Sequence, residues 1–193
     1  SSAGDRVGAV AHTPADILAA ARGILTEHSL ADLTMRRLAT ELGVRPNALY
    51  WHFPDKQTML AALADDLLSE VRPPADGALA DRLATLSQHL RATLLAVPDS
   101  AEVVSSAWAS GLARSDLAGT ITAVAVDGGL PAAAARGVAT AICQLTIGLT
   151  IEEQTRAQME RLGVTGPSGR DFAAEFTEAL TVIVDGAAAA AQS

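Results

Sequence analysis

The chain has 193 residues, 49% of them hydrophobic but only 3% aromatic, so its core is expected to be aliphatic, a composition that favours close-packed helices over strands. A single cysteine, Cys143, excludes an intramolecular disulfide and a cysteine-based metal cluster. The net charge of −8 excludes a uniformly basic nucleic-acid binder and leaves only a local basic face to do such work.

Residues 1–12 are small and polar and read as a flexible N-terminal arm. Thr13-Pro14-Ala15-Asp16 then offers an N-cap, a first-turn proline and a first-turn acid. The apolar stripe behind it, Ile17, Leu18, Ala21 and Leu25, predicts a helix ending near His28. Thr34 caps a short helix through Leu42, with Gly43 as its terminator. A third helix starts at Arg45-Pro46 and runs through His52. Pro54-Asp55 stops it and caps a fourth, whose stripe is Met59, Leu60, Leu63, Leu67 and Val71.

Arg72 to Gly77 breaks the pattern, dividing the chain into residues 13–72 and 73–193. Leu79, Leu83, Leu86, Leu90 and Leu94 mark the next helix. Val97-Pro98-Asp99 turns into one carrying Val103, Val104 and Trp108, and a further helix runs from about Ser115 to Gly128-Gly129. The longest, over 131–162, starts at Pro131, and the last, over 171–190, presents Phe172, Phe176, Leu180 and Ile183. The expectation is an all-α protein of about nine helices, four before the break and five after it. The longest uncharged apolar stretch, Gly137 to Ile151, is short of the roughly 20 residues that span a bilayer. No signal sequence opens the chain, so no membrane and a cytoplasmic setting are expected.

Function becomes legible between Leu33 and Phe53, LTMRRLATELGVRPNALYWHF. Two short helices joined at Gly43-Val44 fit a helix-turn-helix, with Leu38, Ala39 and Leu42 facing Val44 and Leu49. From Thr34 to Lys56, four cations (Arg36, Arg37, Arg45, Lys56) meet only Glu41 and Asp55, a net of +2 that leaves −10 to the rest of the chain. Arg45, Asn47, Ala48, Tyr50, Trp51 and His52 fall outside the packing positions, and exposed aromatics on so short a helix point to a partner. Tyr and His can donate to phosphates, while small and amide side chains can approach base edges.

Leu33-Thr34, Gly43-Val44 and Leu49-Tyr50-Trp51-His52-Phe53, with Lys56 shortly after, resemble the TetR family of bacterial transcriptional regulators, in its tetracycline-repressor branch. The resemblance implies an N-terminal DNA-binding domain and a C-terminal ligand-binding and dimerisation domain. It places Arg36 against a guanine, and Arg45, Pro46, Asn47 and Ala48 at the base-reading start of the recognition helix. Thr34, Tyr50, His52 and Lys56 match phosphate-side positions, and Trp51 divides between packing and backbone contact. It further implies a homodimer through helices 131–162 and 171–190, for which Ala134, Ala135, Gly137, Ala139, Ala141 and Gly148 are small enough for close approach and Phe172, Phe176, Leu180 and Ile183 supply apolar area. Such a dimer reads a palindromic operator.

The remaining helices of the family enclose an inducer pocket. Leu86 and Leu90 replace its amide and aromatic ligand contacts, and Val104 stands where a magnesium-binding His is found. Glu152 is retained, but one carboxylate does not make a metal site. No metal or cofactor is therefore expected, and an apolar or aromatic inducer suits these residues, with His89, Trp108, Gln144 or Glu152 as anchors. Catalysis is not expected: the sequence has no Gly-rich phosphate loop, no zinc spacing and no nucleophile–base set. The alternative to an inducible repressor is a TetR-like adaptor that acts through protein contacts without binding DNA.

Overall fold

The computed structural model describes residues 12–192, in which nine helices and no strands form. They are α1 (Pro14–Glu27), α2 (Met35–Glu41), α3 (Pro46–Tyr50), α4 (Lys56–Leu68), α5 (Leu79–Leu95), α6 (Ser100–Ser110), α7 (Leu117–Asp127), α8 (Ala132–Arg161) and α9 (Phe172–Ala191). Local chemistry explains most of their ends. Thr13 closes a capping box, its hydroxyl accepting from Asp16 N at 3.2 Å while the Asp16 carboxylate accepts from Thr13 N at 2.7 Å. Thr34, Asp55, Asp116 and Asp171 cap α2, α4, α7 and α9 through their side-chain oxygens.

Two of the helices end earlier than expected. The third was expected through His52, but α3 ends at Tyr50, and Trp51-His52 form a turn. The fourth was expected to reach Val71, yet α4 stops at Leu68. Residues 1–11 of the expected arm lie outside the described residues. His12, also assigned to that arm, is half-buried, with Nε2 3.0 Å from the carbonyl oxygen of Leu42.

A single apolar core runs through the molecule, from Ile17 and Leu38 in the first helices to Leu180 and Val184 in the last. Helices α1 to α4 pack on one another, while α8 lies against α5, α6, α7 and α9. By length and mean hydropathy alone α8 could cross a membrane, but its apolar face is spent on those four neighbours. Phe172, Phe176 and Leu180, expected to offer apolar area to a second copy, are turned into the protomer's own core at 8%, 3% and 3% exposure. The outer face of α9 instead presents Val182, 75% exposed.

Two carboxylates join the first four helices to the rest. Asp65 of α4 accepts from the backbone N–H groups of Arg114 (3.0 Å) and Ser115 (2.8 Å), in the segment between α6 and α7. Asp99, at the start of α6, accepts from Leu30 N at 2.7 Å, and it does so from a left-handed backbone (φ 60°) that a short polar side chain tolerates. Gln154 of α8 braces the same turn, its amide nitrogen donating to the carbonyls of Leu94 and Val97 at 2.9 Å each.

Candidate nucleic-acid interface and effector cleft

Helix α2 ends in a Schellman turn. Val44 N donates to Ala39 O at 2.9 Å and Gly43 N to Thr40 O at 3.1 Å, with Gly43 at φ 65°. That turn sets α3 across α2, and buried Leu49 (1%) and Phe53 (6%) anchor α3 in the same core as Leu38 and Ala39. The side chains between these anchors have nowhere to go but outward. Arg45, Pro46, Asn47, Ala48 and His52 are all exposed, Tyr50 is 46% exposed and Trp51 is 89% exposed. Trp51 thus contributes little to packing within the protomer.

Thr34 is exposed at the start of α2, where its hydroxyl accepts from Arg37 N at 3.0 Å. Arg36 is exposed beside it. Arg37 instead turns its guanidinium to the imidazole Nε2 of His28. Among the described residues Arg36, Arg45 and Lys56 enter no ion pair, in contrast to Arg82, Arg91, Arg156 and Arg170, which each hold a carboxylate. Arg36 and Arg45 are thus exposed with no carboxylate of the described residues engaging them. Lys56 is half-buried and lines a cleft with Asp99 and Glu102 between the first four helices and the others. Thr34, Arg36, Arg45 to Ala48, and Tyr50 to His52 come from two helices and the turns that flank them.

The expected inducer contacts are more scattered. Leu86, Leu90 and Val104 are buried to within 1% in the core between α5 and α6. His89 is exposed on α5. Glu152 is exposed on α8 and pairs with Arg170 at 2.8 Å. A buried valine and a carboxylate already engaged by arginine do not fit a magnesium site. No group of three His, Cys, Asp or Glu is placed to hold a metal among the described residues.

Trp108 and Gln144 do come together. They line a cleft of about 310 Å³ between α6, α7 and α8, along with Ser115, Asp116, Leu117 and Cys143. Burial, and then the nearby charge of Asp116, push the Cys143 thiol up to about 11, so it stays protonated at neutral pH. Ser115, expected to open a helix that instead starts at Leu117, and Asp116 and Asp65 carried no functional signal in the sequence. Only the folding of the 111–116 segment across α4 and α8 brings them into one place.

Comparison with known proteins agrees with this geometry. Residues 17–63 match the family profile described as bacterial regulatory proteins, tetR family, and residues 73–167 match the tetracyclin repressor-like C-terminal domain. The tetracycline repressor protein class A from transposon 1721 of Escherichia coli is 30% identical over 91% of this chain and 90% of its own length. The crystal structure of Mycobacterium smegmatis BioQ is similar at 38% identity and a TM-score of 0.83, covering 93% of this chain and 99% of that one. A structure of BioQ with its natural double-stranded DNA operator is similar at 36% identity and a TM-score of 0.75, over 92% and 99% of the two chains.

Proposed function

This chain belongs to the tetR family of bacterial regulatory proteins and is a DNA-binding transcriptional regulator, not an enzyme; from that premise we propose that it represses a palindromic operator as a homodimer and is released by a small-molecule inducer. The observation that carries the DNA half of this reading is the exposed α2–α3 face. Unpaired Arg36 and Arg45 share it with Tyr50 and Trp51, held outward by buried Leu49 and Phe53.

In this reading residues 13–72 form the reading head and 73–193 the effector and dimerisation domain. Arg36 reads a guanine edge, and Arg45, Pro46, Asn47 and Ala48 face the bases. Thr34, Tyr50, Trp51, His52 and Lys56 hold the backbone. Dimerisation pairs α8 and α9 with their copies. Room for it is present on α8, where a Cβ added at Gly137 or Gly148 meets nothing within 4 Å, and on α9 at exposed Val182. The inducer is apolar or aromatic and engages Trp108 and Gln144. Leu86, Leu90 and Val104 reach it only when the core between α5 and α6 opens, and His89 and Glu152 lie outside the cleft. The protein works where the DNA is, in the cytoplasm.

Selection of bound sequences from a random-sequence DNA pool tests the reading. An enriched palindrome, relaxed at one position in Arg36→Ala, supports it. A folded dimer that enriches nothing at low salt overturns it in favour of an adaptor acting through protein contacts.

A further inference from the structure

We propose that Arg37 is a further DNA-backbone contact of the reading head, one that neutral His28 holds back and protonated His28 releases. This role rests on the regulator reading above and adds to it a positioning residue that lies outside the helix-turn-helix.

Among the described residues, Arg37 is the one cation of the window 34–56 whose side chain is engaged within the chain. Its Nη2 reaches from the first turn of α2 to Nε2 of His28, the C-cap of α1. A guanidinium only donates, so His28 Nε2 is the acceptor, and the imidazole is neutral with its proton on Nδ1. No carboxylate of the described residues pairs with Arg37. The imidazole is therefore what sets the direction of this side chain.

A proton on His28 ends the arrangement. It removes the accepting lone pair and sets two cations at hydrogen-bond distance, so the guanidinium has to leave. The imidazolium has reason to stay. It closes the carbonyl end of α1, where the helix dipole favours a cation, and it lies 4.0 Å from Glu27 Oε2. With 39% of its side chain exposed, it exchanges a proton directly with solvent. Imidazole is the side chain that changes charge between about pH 5 and 8.

The other charged groups around this contact keep their charges in that range. Helix α1 packs on α2 and α4. On α4, Asp66 holds Arg22 of α1, Asp65 accepts from Arg114 and Ser115, and Lys56 shares a cleft with Ser29 and Leu30. Beyond His28, Asp32 accepts from the Ser29 hydroxyl, and Asp99 of α6 accepts from Leu30 N. On α2 the remaining charges are Arg36 and Glu41.

Freed Arg37 has a destination. It lines a hollow of about 460 Å³ together with Thr34 and Arg36, the two residues of α2 and its cap that face DNA in the reading above. A guanidinium turned from His28 into that hollow joins them on one face, where a phosphate accepts from it bidentately. Asp32 and Glu41 line the same hollow and are its rivals within the chain. Pairing with either would leave DNA affinity as it was.

The test is fluorescence anisotropy of the full chain on a random-sequence duplex, at about pH 8 and about pH 6, over a range of salt. A backbone contact needs no operator. On acidification the wild type is expected to bind about fivefold more tightly, and its plot of log affinity against log salt to steepen by about 0.9, the value of one added phosphate contact. Exposed His52 adds a pH dependence of its own, equally in every variant, so the comparison between variants isolates His28. His28→Gln, whose amide oxygen accepts but takes no proton, keeps Arg37 held and gives the shallow slope at both pH values. His28→Ala removes the acceptor and gives the steep slope at both. Arg37→Gln shows no steepening, and it decides the matter should His28→Ala fail to fold. A wild type that steepens no more than Arg37→Gln, a His28→Gln that keeps the full gain, or a folded His28→Ala with the shallow slope at both pH values overturns the proposal while DNA binding stands. If the wild type binds no duplex at low salt at either pH, the regulator reading fails and this contact falls with it.

Discussion

Asp55 shows how much one side chain settles at the junction of α3 and α4. Its carboxylate accepts from Thr58 N at 2.7 Å, and that bond, with a further one from the Thr58 hydroxyl, holds its pKa below the ordinary 3.8. A depressed folded-state pKa contributes stability that is present above 3.8 and lost as pH falls through the lower folded value. Asp55→Asn keeps a capping oxygen but cannot titrate, so an acid melt monitored by circular dichroism should show a shallower decline below pH 3.8 in the variant than in the wild type. Equal slopes would remove Asp55 from the acid response. The guanine contact proposed for Arg36 can be tested by itself. Exposed and unpaired, it is lost to alanine with little change in folding, whereas binding to the selected operator should weaken by about 1–3 kcal/mol and one position should lose its preference. Uniform weakening across all sequences would make it a phosphate contact.

Helix α3 is five residues long and cannot stand alone, so the turn before it and the two side chains beneath it decide whether there is a reading surface. Gly43 supplies the left-handed residue of the Schellman turn, and an added Cβ there meets nothing within 4 Å. Gly43→Ala therefore tests backbone strain free of any clash. It should lower stability by about 1 kcal/mol in urea titrations. A neutral effect would mean that the turn relaxes to another conformation. Buried Leu49 and Phe53, by contrast, act through packing, which is why Tyr50 and Trp51 between them are free to face outward.

The assembled molecule turns Phe172 and Phe176 inside the protomer and leaves small residues and Val182 outside on α8 and α9. If those helices meet their copies, an exposed valine at their contact is costly to charge. Val182→Asp puts a carboxylate near Glu178 and Asp185 of the same helix, and sedimentation equilibrium should find it largely monomeric, with a matching loss of affinity for a palindrome. Its protomer should melt within about 0.5 kcal/mol of the wild type, since a surface position of this kind bears little on folding. A variant that remains a dimer would move the interface away from this part of α9.

The helices and the helix-turn-helix could be read from the sequence because the forces that set them act between neighbours along the chain. Thr13, Thr34 and Asp55 each cap a helix through a backbone N–H three residues ahead, Gly43 ends the helix before it, and apolar stripes at helical spacing mark the buried side. The same locality made the cations around α3 visible, because they fall within one short window. The cleft and its link to α4 could not be read in that way. Trp108, Ser115 and Gln144 come from three separate segments, and Asp65 reaches Ser115 across 50 residues of chain. The inward turn of Phe176 was likewise undetermined, since periodicity shows that a helix has an apolar face but not whether its own protomer or a second copy will cover it. Burial is satisfied by whichever surface covers the face, and here α5 and α8 of the same protomer cover it.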